Sequence, residues 1–408
     1  MKRNYVLGLG AAAAIAVVTL AFFFGDSAYG TSDANTSSSA ASGRAGSALG
    51  SGMAGDAGAA AGGRAPYSAA GLEARKAQLA MWAARYERAE RLYAGYRDAT
   101  RYPHESRPIA EHPDQVRPFV PIAEDLKLLN DKGEPIKGVR LRTTQERVFL
   151  SGAETVRFSI AAVDDNNLPL PLIIRNAAAR SIADSRTPVK QISTPVNFSD
   201  NGTGADDRAG DGTYAARLSP AAQGFDGYNG TIRMLAEVSA SGQQGVVQLD
   251  VIYTSDIAAT WGPVRDVVEA GSLNFYLKLQ VRVGGRYVVS GRVDDANGVP
   301  FALLQFNDEL AAGSRELRLQ TFGALIRDKQ PAFPLKLRDV DGFLLIPDQF
   351  PDRATLARLP GVVHVSGRYA LDRFSSAEWT SEERERYLTE YGKDAETARN
   401  QVQELMGK

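Results

Sequence analysis

The chain has 408 residues, 44% of them hydrophobic, so it is long enough for two or three domains with real hydrophobic cores. Its 47 basic residues nearly balance 48 acidic ones, which argues against a general nucleic-acid binder, because such proteins carry a basic surplus. The sequence contains no cysteine, which excludes disulfides, thiolate metal sites and a cysteine nucleophile.

The first 25 residues predict a transmembrane signal anchor. Lys2 and Arg3 precede an uncharged run over residues 5–24, and twenty helical residues span about 30 Å, the thickness of the hydrocarbon core of a bilayer. Since positive charge stays inside, the bulk of the chain is expected on the far side of the membrane. The alternative is a signal peptide that is cleaved after export, although its apolar region is usually about 7–15 residues.

A tethered helix is predicted next. Residues 26–66 are a low-complexity tract of Ala, Gly and Ser that cannot bury enough apolar surface to fold, so we expect a disordered linker. In residues 67–101 apolar side chains recur at steps of three and four, which predicts an amphipathic helix. Its seam would pack within its own domain or as a coiled coil, or would dock to an envelope partner. The seam includes Leu79, Trp82, Tyr86 and Tyr93.

Five prolines between residues 103 and 121 restrict the backbone, which predicts an extended strap over residues 102–137. From about residue 138 apolar and polar residues alternate, most clearly in "LNFYLKLQV" at 273–281. Short alternating segments with turn signals between them are typical of antiparallel sandwiches. We therefore predict a mainly β protein with two tandem immunoglobulin-like antiparallel β-sandwich domains, 138–256 and 257–374, with flanking α-helices and the N-terminal transmembrane helix.

An internal similarity supports the two-domain prediction. "AVDDNNLPLPLI" at 162–173 resembles "RVDDANGVPFAL" at 292–303, and in each an alternating strand ends in Val-Asp-Asp and turns through Asn. The two stretches are then matching hairpins of two successive domains. The alternative is a chance match, because Asp and Asn are common turn residues.

The tail, 375–408, predicts a C-terminal helix, or two helices if Gly392 interrupts it. Thr380 and Glu383 have the spacing of a capping box. The helix would pack back on its own protein or pair with the 67–101 helix, in the same or another chain. Its seam consists of Tyr391, Ala395, Ala398, Val402 and Leu405.

An acidic loop, "FSDNGTGADDRAGDGTY" at 198–214, is the strongest candidate for a ligand site. Aspartates supply the hard oxygen ligands that calcium prefers, yet Gly202 and Gly204 stand where the D-x-[DN]-x-[DN]-G template needs donors. Two interpretations stay open, a structural loop without cofactor and a calcium site. The metal candidates are Asp200, Asp206, Asp207 and Asp211.

Tyr214, at the end of this loop, resembles the tyrosine corner of immunoglobulin-like sandwiches and is predicted to be structural. Catalytic patterns are missing from the sequence. The three histidines, His104, His112 and His364, form no His-x-x-x-His pair, and no G-x-S-x-G elbow occurs. We therefore predict that the protein is not an enzyme.

Two stretches resemble a known family. Residues 198–218, an Asp-rich loop leading into Gly-Asp-Gly-x-Tyr, look like the signature of bacterial choice-of-anchor X domains, and residues 287–326 are similar to the accessory β domain that often accompanies it. The resemblance implies a displayed envelope protein with no known activity and no catalytic residues. This chain departs from the sorting-tail pattern because it ends in a charged helix, which favours the periplasmic face of a bacterial inner membrane.

Together these features predict a non-enzymatic, membrane-tethered envelope protein that presents β-sandwich domains for protein–protein interaction or assembly. Its expected partners are the inner membrane through residues 5–24 and an unidentified envelope protein, with homo-oligomers through the helices and no nucleic acid. The alternative is a module that binds glycan or another ligand, with or without the help of calcium. A third hypothesis, an envelope hydrolase, rests on scattered aspartates at 341, 348 and 352.

Overall fold

A computed structural model of the protein describes residues 69–129, 134–183 and 191–407. This part of the chain is mainly β, with several antiparallel sheets and two separate hydrophobic cores. Its α-helices are α1 (Ala69–Ala99), α2 (Gly323–Lys329) and α3 (Glu382–Gly407). None of these three helices is both long and apolar enough to cross a membrane. The predicted anchor at 5–24 and linker at 26–66 lie outside the described residues.

Ten strands surround the first core. They are β2 (Ile122–Leu129), β3 (Pro135–Gln145), β4 (Phe149–Ser151), β5 (Val156–Val163), β6 (Pro169–Leu170), β7 (Leu172–Ser181), β8 (Ser193–Pro195), β9 (Thr213–Leu218), β10 (Asn229–Ala240) and β11 (Gln243–Thr254). One sheet has the order β2-β3-β5-β6, with β9 also paired to β5, and the other has the order β4-β11-β10-β7-β8. The pairs are antiparallel except that β4 runs parallel to β11.

The second core lies between two further sheets. Their strands are β1 (Ser106–Pro108), β12 (Ala259–Glu269), β13 (Ser272–Val281), β14 (Gly285–Asp294), β15 (Pro300–Leu310), β16 (Gly313–Thr321), β17 (Lys336–Leu345), β18 (Arg353–Thr355) and β19 (Leu359–Val365). The orders are β12-β13-β16 and β1-β15-β14-β17-β18, with β19 also paired to β17. Both sheets contribute side chains to one buried cluster.

The alternation of apolar residues determines which face of each strand packs into a core. Successive side chains of a strand point to opposite faces. In β5, Val156, Phe158 and Ile160 are buried, and in β13, Phe275 and Leu277 are buried in the same alternation. The predicted alternating antiparallel strands are therefore confirmed in both segments.

The sequence predicts an extended strap over residues 102–137, but the proline-rich segment is not continuously extended. It forms two 3-10 turns, Ile109–Glu111 and Pro113–Val116. Pro113 occupies the first position of the second turn, where its missing N–H is not needed. Its two ends join different sheets, since β1 pairs with β15 and β2 pairs with β3. The sheets around the first core therefore begin at Ile122, earlier than residue 138.

The two Asp-Asp-Asn turns share one hydrogen-bond pattern. The carboxylates of Asp164 and Asp295 each accept from the backbone N–H groups two and four residues later, at 2.8–2.9 Å. The left-handed position falls on Asn167 (φ 63°) in the first turn and on Gly298 (φ 81°) in the second. The turns thus align Asp164 with Asp295, one residue away from the match of the two sequences, and they share one backbone conformation.

Polar side chains join the two β bodies. Ser151, at the end of β4, accepts a hydrogen bond from the backbone N–H of Thr355 at 2.7 Å. The hydroxyl of Thr355 also lies 2.8 Å from the carboxylate of Glu154, which pairs with Arg147 at 2.7 Å. No spacing rule could predict these contacts, because the partners lie about 200 residues apart in sequence.

Candidate functional site

The helices α1 and α3 form an antiparallel hairpin. Tyr96, near the end of α1, contacts the rings of Tyr387 and Tyr391, near the start of α3, with centroids 5.6 and 5.4 Å apart. Earlier on α1, Arg85 lies 4.0 Å from Asp394, which is later on α3. The helices therefore run in opposite directions. Of the alternatives for the C-terminal helix, pairing with the 67–101 helix of the same chain is the one that the structure has.

The predicted interaction seam of α1 lies on one face of the helix. Leu79, Trp82, Tyr86 and Tyr93 are half-buried, and Ala89 between them is buried. Within this seam, the ring of Tyr93 lies beside residue 392 of α3. The seam therefore contributes to the contact between α1 and α3 inside the chain.

The helix α3 decides between the two predicted alternatives and differs from its prediction only in its cap. It runs without interruption through Gly392, because the i to i−4 hydrogen bonds tolerate a single glycine at a cost of about 1 kcal/mol. Its N-terminal cap is Ser381 rather than Thr380, since the Ser381 hydroxyl accepts from the backbone N–H of Arg384 at 3.1 Å.

A charged cluster fixes the base of the hairpin to the second β body. Arg101, just after α1, donates two hydrogen bonds to Asp328 of α2, at 2.8 and 3.0 Å, and one to Glu378 at 3.1 Å. Arg384 of α3, which is buried, donates to Thr100 and to the same Glu378. The hydrogen bond from Arg101 lowers the pKa of Asp328, so the two groups are held as an ion pair.

A groove of about 450 Å³ runs along one side of the hairpin. Met81 is 56% exposed and Leu92 is 54% exposed, although both are large and apolar. Among the described residues, the side chain of Arg88 has no ion-pair or hydrogen-bond partner. The groove is lined by Met81, Ala84, Arg85, Arg88, Ala89, Leu92, Tyr391 and Asp394. Sequence reasoning singled out the seam and missed this second face.

The acidic loop brings three of its four aspartates together. Carboxylate oxygens of Asp200, Asp206 and Asp211 lie within 4.8 Å of one another. Asp207 is not part of this group, because its carboxylate pairs with Arg157 at 2.8 Å. Three carboxylates at this separation could supply ligands to a cation such as calcium.

The carboxylates of this cluster also hold the loop in shape. Asp200 accepts from the backbone N–H groups of residues 210–212, at 2.7, 3.2 and 3.0 Å. Asp206 accepts from the N–H of Gly202 at 2.6 Å, and this bond lowers the pKa of Asp206 although burial opposes it. Asp200 and Asp206 therefore stabilise the loop through hydrogen bonds to its backbone, and these bonds need no ion.

Tyr214 lies in β9 opposite Ile160 and packs against the first core. Within the described residues its hydroxyl makes no hydrogen bond. A tyrosine-corner bond occurs in the second body instead, where the hydroxyl of Tyr287 donates to the carbonyl of Val283, four residues upstream, at 2.6 Å. Burial raises the pKa of Tyr287 to about 12, so this hydroxyl stays protonated.

A histidine–carboxylate cluster links β12 to β19 and was not predicted. The imidazole of His364 lies 2.7 Å from the carboxylate of Asp266, which also accepts from the N–H of Gly367 at 3.0 Å and from the hydroxyl of Tyr369 at 2.8 Å. Both oxygens of Asp266 are thus occupied. The partners are about 100 residues apart in sequence, so no local pattern could reveal the cluster.

No protein-family model matches the sequence, and no curated protein matches it. Among solved structures, the chain is similar to a DUF4785 family protein of Legionella pneumophila, with 12% identity and a TM-score of 0.34, over 53% of this chain and 58% of that one. It is also similar to domains 5–6 of the S-layer protein SbsC, with 11% identity and a TM-score of 0.17, over 49% and 98% of the two chains. The native alpha-2-macroglobulin of E. coli matches with 13% identity and a TM-score of 0.17, over 57% of this chain and 16% of that one.

This chain thus spans 58% of the length of the Legionella protein. Because the TM-scores are 0.34 and 0.17, these similarities indicate nothing about what this chain binds or does.

Proposed function

We propose that the protein is a non-enzymatic, membrane-tethered envelope protein that uses its helical hairpin for protein–protein interaction or assembly. In this proposal residues 5–24 anchor the chain in a bacterial inner membrane, and two immunoglobulin-like β-sandwiches of the choice-of-anchor type occupy the periplasm. The observation that carries the proposal is the groove on the hairpin, in which Met81 and Leu92 are more than half exposed. Large apolar side chains grouped in a groove are typical of contact surfaces between proteins.

The position of the hairpin supports this role. Neither hydrophobic core includes a residue of α1 or α3, so the hairpin is not needed to fill either core. Its base is fixed to the second body through Arg101, Asp328 and Glu378. A rigid attachment suits an element that presents a surface to a partner, because less conformational entropy is lost on binding.

Chemical crosslinking in cells tests the proposal. The full-length protein is crosslinked, extracted in mild detergent and captured through a tag, beside the variants Leu92→Glu and Val246→Glu. Val246 is an exposed apolar residue of β11 and serves as the matched control. We expect a defined crosslinked species that Leu92→Glu removes and Val246→Glu keeps. Equal crosslinking in all three proteins would refute an interaction through this groove.

A second candidate function is calcium-assisted ligand binding at the acidic loop, which the grouping of Asp200, Asp206 and Asp211 favours. If calcium binds, thermal unfolding in calcium should lie above that in chelator, since a ligand at a hundred times its Kd stabilises by about 2.7 kcal/mol. Asp211→Asn should reduce this shift, while Asp207→Asn should keep it because Asp207 is outside the cluster. Identical unfolding midpoints with calcium and chelator would remove this candidate.

A further inference from the structure

We propose that the groove side of the hairpin docks onto a second copy of this chain, so that two hairpins form an antiparallel four-helix bundle. The proposal rests on the interaction function proposed above and names the partner. It follows from the exposed apolar residues of the groove and from the distribution of charge along its two edges.

The described residues do not cover the apolar surface of the groove. A pair of helices buries one stripe of each helix, and here that stripe is narrow, with Ala89, Ala395 and Ala398 as its buried apolar members. Met81 and Leu92 lie beside this stripe and stay exposed. A four-helix bundle would cover them, because each helix of such a bundle contacts two neighbours.

The two edges of the groove carry opposite charge. On the α1 side, between Met81 and Leu92, stand Arg85, which lies 4.0 Å from Asp394 of the same chain, and Arg88. On the α3 edge stands Asp394, and Glu383 and Glu390 precede it by eleven and four residues, so that all three share one helix face. All three carboxylates belong to exposed residues. Glu383, like Arg88, has no ion-pair partner among the described residues.

This charge distribution favours a second copy of the chain as the partner, and it determines how the two copies are oriented. A two-fold axis parallel to the helices places the basic edge of α1 beside the acidic edge of the partner's α3, and does so twice. A two-fold axis across the helices would instead place α1 on α1 and α3 on α3, where like charges repel. Closed two-fold assemblies are also the commonest oligomers of soluble domains.

Sedimentation of the full-length protein in neutral detergent measures the association. We expect a concentration-dependent dimer whose Kd rises by at least about tenfold in Leu92→Glu, because the new carboxylate would face the acidic edge of the partner's α3, and is unchanged in Val246→Glu. Arg88→Glu and Asp394→Lys should each weaken the dimer, and the two changes combined should restore it. A monomer at every concentration, or a dimer indifferent to all of these changes, would overturn the proposal.

Disulfide trapping gives a second readout that does not depend on the charged variants folding. Because the natural chain has no cysteine, two differently tagged full-length chains can carry Leu92→Cys and Asp394→Cys, one each. We expect a mixed disulfide under mild oxidation. The control pair, Glu90→Cys with Glu396→Cys, lies in the groove on the opposite side of the hairpin and should give none.

The outcomes separate this proposal from the one it rests on. If disulfides do not form and the crosslinked species of the cell experiment contains another protein, the second copy is wrong and the interaction function stands. If neither experiment gives a product that depends on Leu92, both proposals fail. Equal trapping of the test and control pairs would also overturn the docking geometry.

Discussion

The β bodies bury large apolar side chains, whereas the only buried apolar residues of the two described hairpin helices are alanines. In the sheets, large side chains such as Phe158 and Phe275 are fully buried, whereas on the hairpin Met81 and Leu92 are more than half exposed. The buried set explains why the β bodies fold, since each fully buried side chain contributes about 1.5–3 kcal/mol. The exposed pair contributes no such burial among the described residues, and its grouping in one groove supports the interaction function proposed for the helices.

The largest expected effect is the loss of stability when a buried side chain of the β bodies is truncated. Phe275→Ala should lower the free energy of unfolding by about 3–5 kcal/mol, because a fully buried aromatic ring leaves a cavity in the second core. Leu92→Ala should change it by no more than about 0.5 kcal/mol, as for other exposed sites. Urea unfolding followed by far-ultraviolet circular dichroism measures both, and similar losses would contradict the division between the two regions.

The junction between the two regions should give the next largest effect. Arg384→Ala removes the donor shared by Thr100 and Glu378 at the base of the hairpin and should cost about 2 kcal/mol, as for a charged hydrogen bond lost from a buried site. Amide hydrogen exchange should show faster exchange in α3 and unchanged protection in β13. Arg386→Ala, at an exposed position of the same helix, is the control and should leave α3 protected.

A pH titration tests the cluster between β12 and β19. Burial alone would raise the pKa of Asp266, but hydrogen bonds from His364, Gly367 and Tyr369 lower it below its usual 3.8. Ionised Asp266 therefore stabilises the fold above about pH 4, and this stabilisation is lost as the pH falls through the folded-state pKa.

In Asp266→Asn the free energy of unfolding should be about 1–2 kcal/mol lower at pH 7 and should depend less on pH below 4 than in the natural protein. Asp165→Asn, at an exposed carboxyl, should keep the natural pH profile. Parallel pH profiles for Asp266→Asn and the natural protein would contradict the assigned pKa direction.

The smallest expected effect is the loss of stability when the left-handed residue of the second turn is replaced. Gly298 has φ 81° where the first turn has Asn167 with φ 63°. Gly298→Ala should cost about 1 kcal/mol, because a left-handed conformation strains most side chains, and Gly298→Asn should cost less, since asparagine tolerates it. Thermal unfolding of the two variants decides between these outcomes, and equal losses would argue against equivalence of the turns.

Local patterns in the sequence were enough for the elements themselves. The strands around Phe158 and Phe275 follow from strict alternation, because side chains of a strand alternate between faces whatever the surroundings. The helix around Trp82 follows from apolar steps of three and four. The matching Asp-Asp-Asn turns were predicted for a similar reason, since the aspartate binds backbone groups only two and four residues away.

Contacts between distant residues were decided by the tertiary structure. The docking of Ser151 on Thr355, the His364–Asp266 cluster and the pairing of α1 with α3 join residues about 100 to 300 apart. Such contacts depend on how whole elements pack. The spacing of apolar residues within a segment does not reveal which other segment it packs against. The sequence by itself therefore determined the main strands and the two long helices, but not the turns of the proline-rich segment or the groove face of the hairpin. Tertiary packing decided which apolar faces are covered, and it left the hairpin groove exposed.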